Sequence, residues 1–376
     1  MAQDPFYPNM GQGPNDKPYA SYGSPPQGPP PAGRPTAEFC SPQNYCFVQG
    51  IGFVLRAPEE FERRQLRREG TRLGLSLLLS VALFYILRTL LLSIGQMTVF
   101  GRVSVALQNI INLALILLSY SLSLTPFFIY KRSVGIPSRV AFPIKAPRAL
   151  FVVCGLFCTL ALSSLGSITV DHINTALGLL GLRVTSGTTP LPYGLWEIAV
   201  YILAFVVITP VLEEVVFRGI LLQALRQYGD GFAVLVSAAL FALMHLSITA
   251  LPFAFLAGLC IGYFVVRTGS LISGIIIHIA NNLLVVVYEA LARGMAPRLG
   301  TLFTAAVFAV YLLLGLILLV VCAKRDPILF MLHPANSRLT GASRVRYLFS
   351  AGVMAFWLAC VSLLMLTAVH SVSFPW

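Results

Sequence analysis

The sequence predicts an all-α membrane protein, a polytopic bundle of about eight or nine transmembrane helices behind a disordered, Pro/Gly-rich N-terminal tail. Only 11% of the 376 residues are charged, 57% are hydrophobic, and the mean hydropathy is +0.81. Soluble domains carry roughly 25% charged residues, so the composition excludes a soluble globular class. Several apolar runs are also long enough to cross roughly 30 Å of hydrocarbon.

The net charge of +12 is distributed in a way that argues against a nucleic acid partner. The basic residues cluster beside apolar runs, as they do in the cytoplasmic loops of membrane proteins. We therefore expect the lipid bilayer, and no nucleic acid, as the partner of these charges. The seven cysteines are scattered and have neither the spacing of a disulfide framework nor that of a zinc site.

The tail, residues 1–50, contains 11 of the 24 prolines. Such a segment cannot bury enough apolar surface to offset its chain entropy, so we expect it to be disordered. It is not a signal peptide, because no apolar core follows the initiator methionine. The stretch SYGSPPQGPPPAGRP could dock a proline-reading partner, but we favour a solvated cytoplasmic tail.

Residues 51–72 are predicted to form a basic juxtamembrane helix. Pro58 suits the first turn of a helix, and the acidic Glu59 and Glu60 follow it, where the helix dipole favours negative charge. The pattern Glu-Glu-x-x-x-Arg occurs here, ending at Arg64. In this setting Glu60 and Arg64 make an ordinary surface pair, which is worth a few tenths of a kcal/mol.

Residues 73–372 are predicted to form the transmembrane helical domain. The spans are expected near residues 73–95, 103–130, 149–170, 193–215, 231–249, 252–267, 271–291, 302–323 and 347–371. Most basic clusters lie on one side of the membrane if the N-terminus is cytoplasmic, whereas Arg293 and Arg298 do not. We therefore predict a multi-pass protein of the cell membrane with its N-terminus inside, of a kind typical of bacteria.

A second copy of the charged pattern lies in VLEEVVFRGI, where it follows a long apolar run. An ionised side chain deep in a membrane costs about 2.5–3.5 kcal/mol, so such groups tend to face a polar cavity and to be functional. Glu214 and Arg218 share a helix face and can neutralise each other. Glu213 points about 100° away around the helix and needs a partner elsewhere.

Two further apolar spans carry histidines in helical patterns. ALFALMHLSI places Phe241 and His245 four residues apart, and GIIIHIANNLL places His278 and Asn282 four residues apart. A single histidine in a membrane helix most often serves packing. Three polar clusters in nearby spans are more typical of a functional site.

A depth estimate predicts that these clusters meet. Glu213 and His245 lie 16 residues before and 16 residues after Gly229, the centre of the turn predicted in QYGDG. A helical hairpin would place them at the same level. His278 and Asn282 rise roughly 14–20 Å from the turn before their own span, at 1.5 Å per residue, and reach a similar depth.

The three motifs, in this order and spacing, resemble the CPBP family of membrane proteases. That family includes CaaX prenyl endopeptidases of the Rce1 type, bacteriocin-processing proteins and self-immunity proteins. The resemblance covers about residues 193–290, which we take as the catalytic core, and all three motifs are complete. It implies a glutamate-dependent, metal-independent intramembrane endopeptidase that acts on a peptide or a membrane-protein substrate.

Peptide hydrolysis needs an activated water and donors for the oxyanion of the tetrahedral intermediate. Glu213, partly desolvated beside a second carboxylate, is the candidate base, and His245 could hold the water. His278 and Asn282 could donate hydrogen bonds to the oxyanion, while Glu214 with Arg218 orients Glu213. The resemblance implies much the same roles, with the first glutamate as base and the last two motif residues as oxyanion stabilisers.

Three alternatives remain open at this stage. Glu213, His245 and His278 could instead be three ligands of a zinc ion, a cofactor that the metal-free hypothesis does without. The polar cluster could be an ion or proton relay of a transporter. The chain could also be a non-catalytic protein of the bacteriocin-immunity type. The motifs describe a hydrolytic centre and do not identify the substrate, so a CaaX specificity is not carried over.

Overall fold

The structure is a computed structural model, and it describes residues 45–48, 52–55, 59–98, 102–179, 181–184, 191–334, 339–367 and 369–371. The chain divides into two compact units, residues 1–58 and 59–376. In the first unit, β1 (Tyr45–Val48) pairs antiparallel with β2 (Gly52–Leu55), and Tyr45 lies opposite Leu55. The predicted disorder of residues 1–44 lies outside the described residues.

The hairpin differs from the predicted tail and juxtamembrane helix at their shared boundary. Strands occupy residues that were assigned to a disordered tail ending at 50 and to a helix beginning at 51. Gly50 and Gly52 lie at this boundary in the sequence, and glycine disfavours a helix. The helix begins instead at Glu59 and runs without interruption to Thr98 as α1, so the basic segment and the first span are one helix of 40 residues.

The second unit is predominantly helical, which confirms the predicted all-α membrane bundle. Before the region with the three motifs lie α2 (Val105–Ser123), α3 (Thr125–Val134), α4 (Ser138–Ala141), α5 (Ala149–Leu179) and β3 (Leu182–Val184). The motif helix, Leu195–Tyr228, is built from α6 (Leu195–Tyr201), a π-helical segment (Ile202–Ile208), α7 (Thr209–Glu214), a second π-helical segment (Val215–Leu221), α8 (Leu222–Leu225) and a 3₁₀ turn (Arg226–Tyr228). After it come α9 (Asp230–Leu243), α10 (Leu251–Thr268), α11 (Leu271–Ala292), α12 (Pro297–Arg325), α13 (Gly341–Phe349), α14 (Gly352–Leu366) and β4 (Val369–Ser371).

Within the described residues, seven helices are long and apolar enough to cross a membrane, or eight if α13 and α14 form one span. The predicted span 231–249 is shorter than expected, because α9 has 14 residues and ends at Leu243. The predicted span 347–371 is broken, since α13 and α14 meet at 82°. A count of eight is therefore the upper end of what the helices support.

The helices that carry the motifs lie side by side. Helix α10 packs between α5 and α9, and α11 packs against α5, α10 and α7. Many large apolar side chains on α1 and α12 are exposed, for example Leu90 and Ile317. Exposed apolar faces on such long helices are the surfaces expected to contact lipid. The polar motif residues lie on the inner helices, away from these faces.

The predicted turn at Gly229 is present and is tightly fixed. Gly229 has φ = 105°, a backbone conformation that favours glycine, and it separates the motif helix from α9. Asp230 begins α9, and its Oδ1 accepts a hydrogen bond of 2.7 Å from Nε of Arg226. Burial tends to raise the pKa of Asp230, but Arg226 and His333 outweigh burial and hold that pKa below its ordinary value. The motif helix and α9 are thereby locked into an antiparallel hairpin.

Candidate active site

The motif helix is irregular at the candidate site. Two π-helical segments, Ile202–Ile208 and Val215–Leu221, enclose the six residues of α7. π-Helical turns are rare and occur frequently at functional sites, because their wider turn moves side chains and carbonyl groups out of the regular register. Glu213 and Glu214 are the last two residues of α7, so the carboxylates lie directly at the second irregularity.

The ion pair predicted from the spacing of Glu214 and Arg218 is present and completely buried. Nη1 of Arg218 lies 2.9 Å from Oε1 of Glu214, and both side chains are 0% exposed. Nη2 of Arg218 donates a hydrogen bond of 3.3 Å to the carbonyl oxygen of Gly258 on α10. The guanidinium carbon also lies 4.3 Å from the centre of the Phe241 ring, which adds a cation–π contact. Arg218 therefore links the motif helix to α9 and α10.

Glu213, which was predicted to need a partner from another helix, contacts Tyr120 on α2. The hydroxyl group of Tyr120 donates a hydrogen bond of 2.8 Å to Oε1 of Glu213. The other carboxylate oxygen, Oε2, faces Nε2 of His278 at 3.7 Å, which is longer than a hydrogen bond. Glu213 is 8% exposed and forms no ion pair with a lysine or arginine of the described segments. One oxygen is thus held, and the other is directed at a histidine.

His278 lies between the two glutamates. Its Nδ1 is 2.9 Å from Oε1 of Glu214, the same oxygen that contacts Arg218. An ionised carboxylate only accepts hydrogen bonds, so this contact places a hydrogen on Nδ1 and directs Nε2 toward Glu213. The buried pair of Glu214 and Arg218 therefore fixes the orientation of the imidazole ring.

Phe241 connects both histidines to the ion pair. Its ring packs edge-to-face on His245 at 4.8 Å and on His278 at 5.8 Å between ring centres. Nδ1 of His245 lies 2.9 Å from the carbonyl oxygen of Phe241. A carbonyl can only accept, so Nδ1 carries the hydrogen and Nε2 is left as an acceptor in the neutral ring. The next residue, Leu246, has φ = 52°, a conformation rarely adopted by a non-glycine residue.

Asn282 lies one turn after His278 on α11 and faces the first π-helical segment. Its Nδ2 donates a hydrogen bond of 3.2 Å to the carbonyl oxygen of Phe205, and its Oδ1 accepts one of 3.2 Å from Nδ2 of Asn281. The amide nitrogen carries two hydrogens, so one N–H remains for another acceptor. No hydrogen bond or ion pair joins Asn282 or His245 directly to Glu213 in the described part of the chain.

Among the described residues, no group of three or more His, Cys, Asp or Glu side chains is arranged to hold a metal ion. The five described cysteines are free thiols, and they lie on α5, α10, α12 and α14.

The comparison with known protein families covers the part of the chain that contains these motifs. Residues 195–284 match the family model of the Type II CAAX prenyl endopeptidase Rce1-like proteins. Over these residues the chain is similar to that family. The family is one of proteases, and the matched region includes all six predicted site residues, Glu213, Glu214, Arg218, His245, His278 and Asn282. No curated protein and no solved structure matches the chain.

Sequence reasoning missed Tyr120, which lies outside the matched residues 195–284. It sits in an apolar run, and no spacing relates it to Glu213, 93 residues later. The available signal was weak: a tyrosine within a membrane span usually needs a hydrogen-bond partner for its hydroxyl group. Gly258 and Gly274 were also missed, because their contributions are a backbone carbonyl and an absent side chain, which no residue pattern reports.

The close packing around Glu214 gives a first prediction. A Cβ atom on Gly274 would lie 2.7 Å from Oε2 of Glu214 and 2.6 Å from a methyl group of Val265. We expect Gly274→Ala to lower the free energy of unfolding by about 1–3 kcal/mol, because overpacking displaces buried neighbours. Thermal unfolding of the purified protein in detergent measures this effect.

Gly300→Ala is the matched control, since Gly300 also lies in a helix but has no atom within 4 Å of an added Cβ. The control should be neutral or stabilising by up to about 1 kcal/mol, because alanine favours helix. Equal stability of the two variants would contradict the described packing of Glu214 against α11.

Proposed function

We propose that the chain is an intramembrane endopeptidase in which Glu213 activates the water that hydrolyses a peptide bond. The observation that carries the proposal is the state of this carboxylate. Glu213 is nearly buried, and Tyr120 holds one of its oxygens. Among the described residues, no lysine or arginine forms an ion pair with it, and the nearest ionisable partner is His278. A carboxylate inside a membrane domain raises the free energy of the folded protein when no arginine or lysine neutralises it, and such groups are typically functional.

The proposed reaction begins with transfer of a proton from water to Oε2 of Glu213. The hydroxide formed attacks the carbonyl carbon of the peptide, and the carbonyl oxygen becomes an oxyanion. The proton on Glu213 then passes to the nitrogen of the leaving amine as the C–N bond breaks. Tyr120 supports this cycle by holding Oε1, so that the same oxygen of Glu213 faces the reacting atoms throughout.

Glu214, Arg218 and His278 act in this proposal as one unit. Arg218 neutralises Glu214, and Glu214 holds Nδ1 of His278, so the imidazole presents Nε2 on the side of Glu213. With a second proton on Nε2, His278 can donate a hydrogen bond to the oxyanion. The remaining N–H of Asn282, about 6 Å along the same helix face, supplies the second donor.

His245 has the tautomer needed to help position the water. Because Nδ1 is used on the carbonyl oxygen of Phe241, the neutral ring offers only an acceptor at Nε2. Nε2 can therefore hold one hydrogen of the attacking water. His278 has the same tautomer, but its Nδ1 faces the carboxylate of Glu214, which supports the positive charge of an imidazolium that donates from Nε2, whereas Nδ1 of His245 faces a neutral carbonyl oxygen. We therefore assign His245 to the water and His278 with Asn282 to the oxyanion.

The substrate in this proposal is a peptide or a membrane protein whose scissile bond reaches the centre from the lipid bilayer. The family description names CAAX prenyl endopeptidases. The residues described above form the hydrolytic centre, and prenyl recognition would need a groove that these residues do not define. Substrate identification therefore begins with the peptides that accumulate when the centre is inactivated.

Replacement of the base is the decisive test. Glu213→Gln keeps an acceptor for the Tyr120 hydroxyl group but removes the basic oxygen, so we expect cleavage to fall by at least about 100-fold. The measurement compares membrane-peptide profiles of cells that express the wild-type protein or the variant at equal levels.

The first copy of the charged pattern offers a matched control. Glu59 pairs with Arg63 on the exposed start of α1, so replacement of Glu59 and Glu60 by alanine should change cleavage by less than about threefold. Full cleavage by Glu213→Gln, or loss of cleavage in the control with normal membrane insertion, would overturn the assignment of Glu213.

A further prediction concerns Tyr120. Tyr120→Phe keeps the ring, which packs edge-to-face on Phe84 at 6.2 Å, and removes the hydrogen bond to Glu213. We expect kcat to fall by about tenfold with little change in KM, because a hydrogen bond to a charged group is worth about 1.5–3 kcal/mol and part of it is replaced by rearrangement.

Tyr130→Phe is the control for Tyr120, because it removes the hydrogen bond from another tyrosine to another buried glutamate, Glu69. Its kinetics should match those of the wild type. If both variants lose activity equally, Tyr120 acts only through stability and not through Glu213.

The proposed hydrolysis does not use a metal ion, because a zinc ion would occupy the carboxylate that is proposed to act as the base. A catalytic zinc commonly has three protein ligands, and Glu213, His245 and His278 would be the candidates. Glu214 would then be the remaining carboxylate among the described residues of the site, but it is closed to solvent, and its Oε1 is held by Arg218 and His278. A zinc scheme leaves the reaction without a base.

Chelation tests the metal-free scheme. Purified protein treated with a strong chelator should keep its cleavage rate, and elemental analysis should find less than one zinc per chain. Activity that is lost with chelator and restored by added zinc would instead make Glu213 a ligand.

A further inference from the structure

A basic pocket lies outside the candidate active site, at the end of the bundle where α1 begins. It has a volume of about 400 Å³ and is lined by five residues of α1, by Val134 at the end of α3 and by Gln227 at the end of the motif helix. Its volume is within the range of sites for small ligands. No step of the proposed hydrolysis uses this pocket.

The charge of the pocket is strongly positive. Arg64, Arg68 and Arg72 line it at intervals of four residues, so they share one face of α1. The single carboxylate of the lining, Glu69, is buried; it accepts a hydrogen bond from Tyr130 and lies 3.4 Å from Arg72. Arg72 is thus paired with that carboxylate. Arg68 is exposed and forms no ion pair with any residue in the described ranges.

The pocket is at the depth of lipid headgroups. Arg72 directly precedes the apolar run that starts at Leu73, and Arg64 lies eight residues earlier, roughly 12 Å farther from the hydrocarbon along the helix. The headgroup layer is roughly 5–7 Å thick on each side of the hydrocarbon core. Arg68, midway between the two, therefore lies within the layer that contains the lipid phosphates.

The polar groups of the pocket match a phosphate with attached hydroxyl groups. Guanidinium groups bind phosphate oxygens through two parallel hydrogen bonds. Gln65 and Gln227, whose amides are joined by a hydrogen bond of 3.3 Å across the pocket, offer both donors and acceptors. A neutral headgroup would leave the charge of Arg68 unbalanced, whereas an anionic phosphate ester would neutralise it.

We propose that this pocket binds the phosphate of an anionic phospholipid headgroup and so joins α1 to the end of the motif helix. Basic pockets between transmembrane helices bind acidic headgroups in this way. The bound headgroup connects the first span with Gln227, 14 residues after Glu213 on the helix that carries both glutamates. The proposal stands independently of the proteolytic activity.

The test counts lipid that stays bound to the full-length protein in detergent, by native mass spectrometry with added phosphatidylglycerol. A detergent micelle of neutral detergent has no charged membrane surface, so general attraction to basic residues does not contribute. We expect the wild-type protein to retain phosphatidylglycerol in preference to phosphatidylcholine. Arg68→Gln should weaken this retention by about fivefold, the effect of about 1 kcal/mol per arginine near a lipid surface.

Arg67→Gln is the matched control, because Arg67 is the adjacent arginine of the same helix but does not line the pocket. Its guanidinium lies over the ring of Tyr347 at 5.7 Å. This variant should retain phosphatidylglycerol as the wild type does. Equal losses in both variants, or no loss in either, would overturn the proposal.

Two further arms complete the test. If Arg68→Gln does not fold, Gln65→Glu places a negative charge in the pocket without removing an arginine, and it should also weaken retention by about fivefold. Inorganic phosphate, compared with chloride at equal ionic strength, should not displace the lipid. Displacement by phosphate would support phosphate chemistry but overturn the lipid as its source.

Discussion

The buried ion pair between Glu214 and Arg218 is the interaction on which the rest of the site depends. Both side chains are inaccessible to solvent, and the pair reaches α9 through Phe241, α10 through Gly258 and α11 through His278. Removal of one partner of a buried pair costs about 3–5 kcal/mol, because the other charge remains buried without compensation. The pair therefore fixes the motif helix, α9, α10 and α11 relative to one another. Its main contribution is to the relative positions of these helices and not to the net free energy of folding.

This dependence explains why adjacent glutamates have different surroundings. Glu214 accepts its contacts from a guanidinium group and an imidazole ring in a site closed to solvent. Among the described residues, Glu213 instead meets a phenol hydroxyl group and the far edge of the same imidazole. One carboxylate is committed to structure, and its neighbour is left with an oxygen that can accept a proton. The approximately 100° between successive helical residues is enough to separate the two environments.

Much of this arrangement could be predicted from local patterns, because local patterns determine helix faces. Spacing of four residues predicted the pairing of Glu214 with Arg218, and the glycine in QYGDG predicted the hairpin that brings α9 beside the motif helix. Tyr120 could not be predicted, because its contact with Glu213 depends on how α2 packs and not on any repeat along the chain. The early end of α9 and the bend between α13 and α14 were missed for a similar reason: apolar composition continues through both.

The two π-helical segments of the motif helix have a consequence for how its sequence is interpreted. Each wide turn accommodates more residues than an α-helical turn, so residues beyond it are rotated relative to a regular helix. A helical wheel drawn through Leu195–Tyr228 would consequently assign Phe205 or Gln227 to the wrong face relative to the glutamates. Deletion of one residue from Val215–Leu221 would relax that segment to a regular helix and turn the following residues by about 100°. The length of this helix, and not only its polar residues, is therefore under structural constraint.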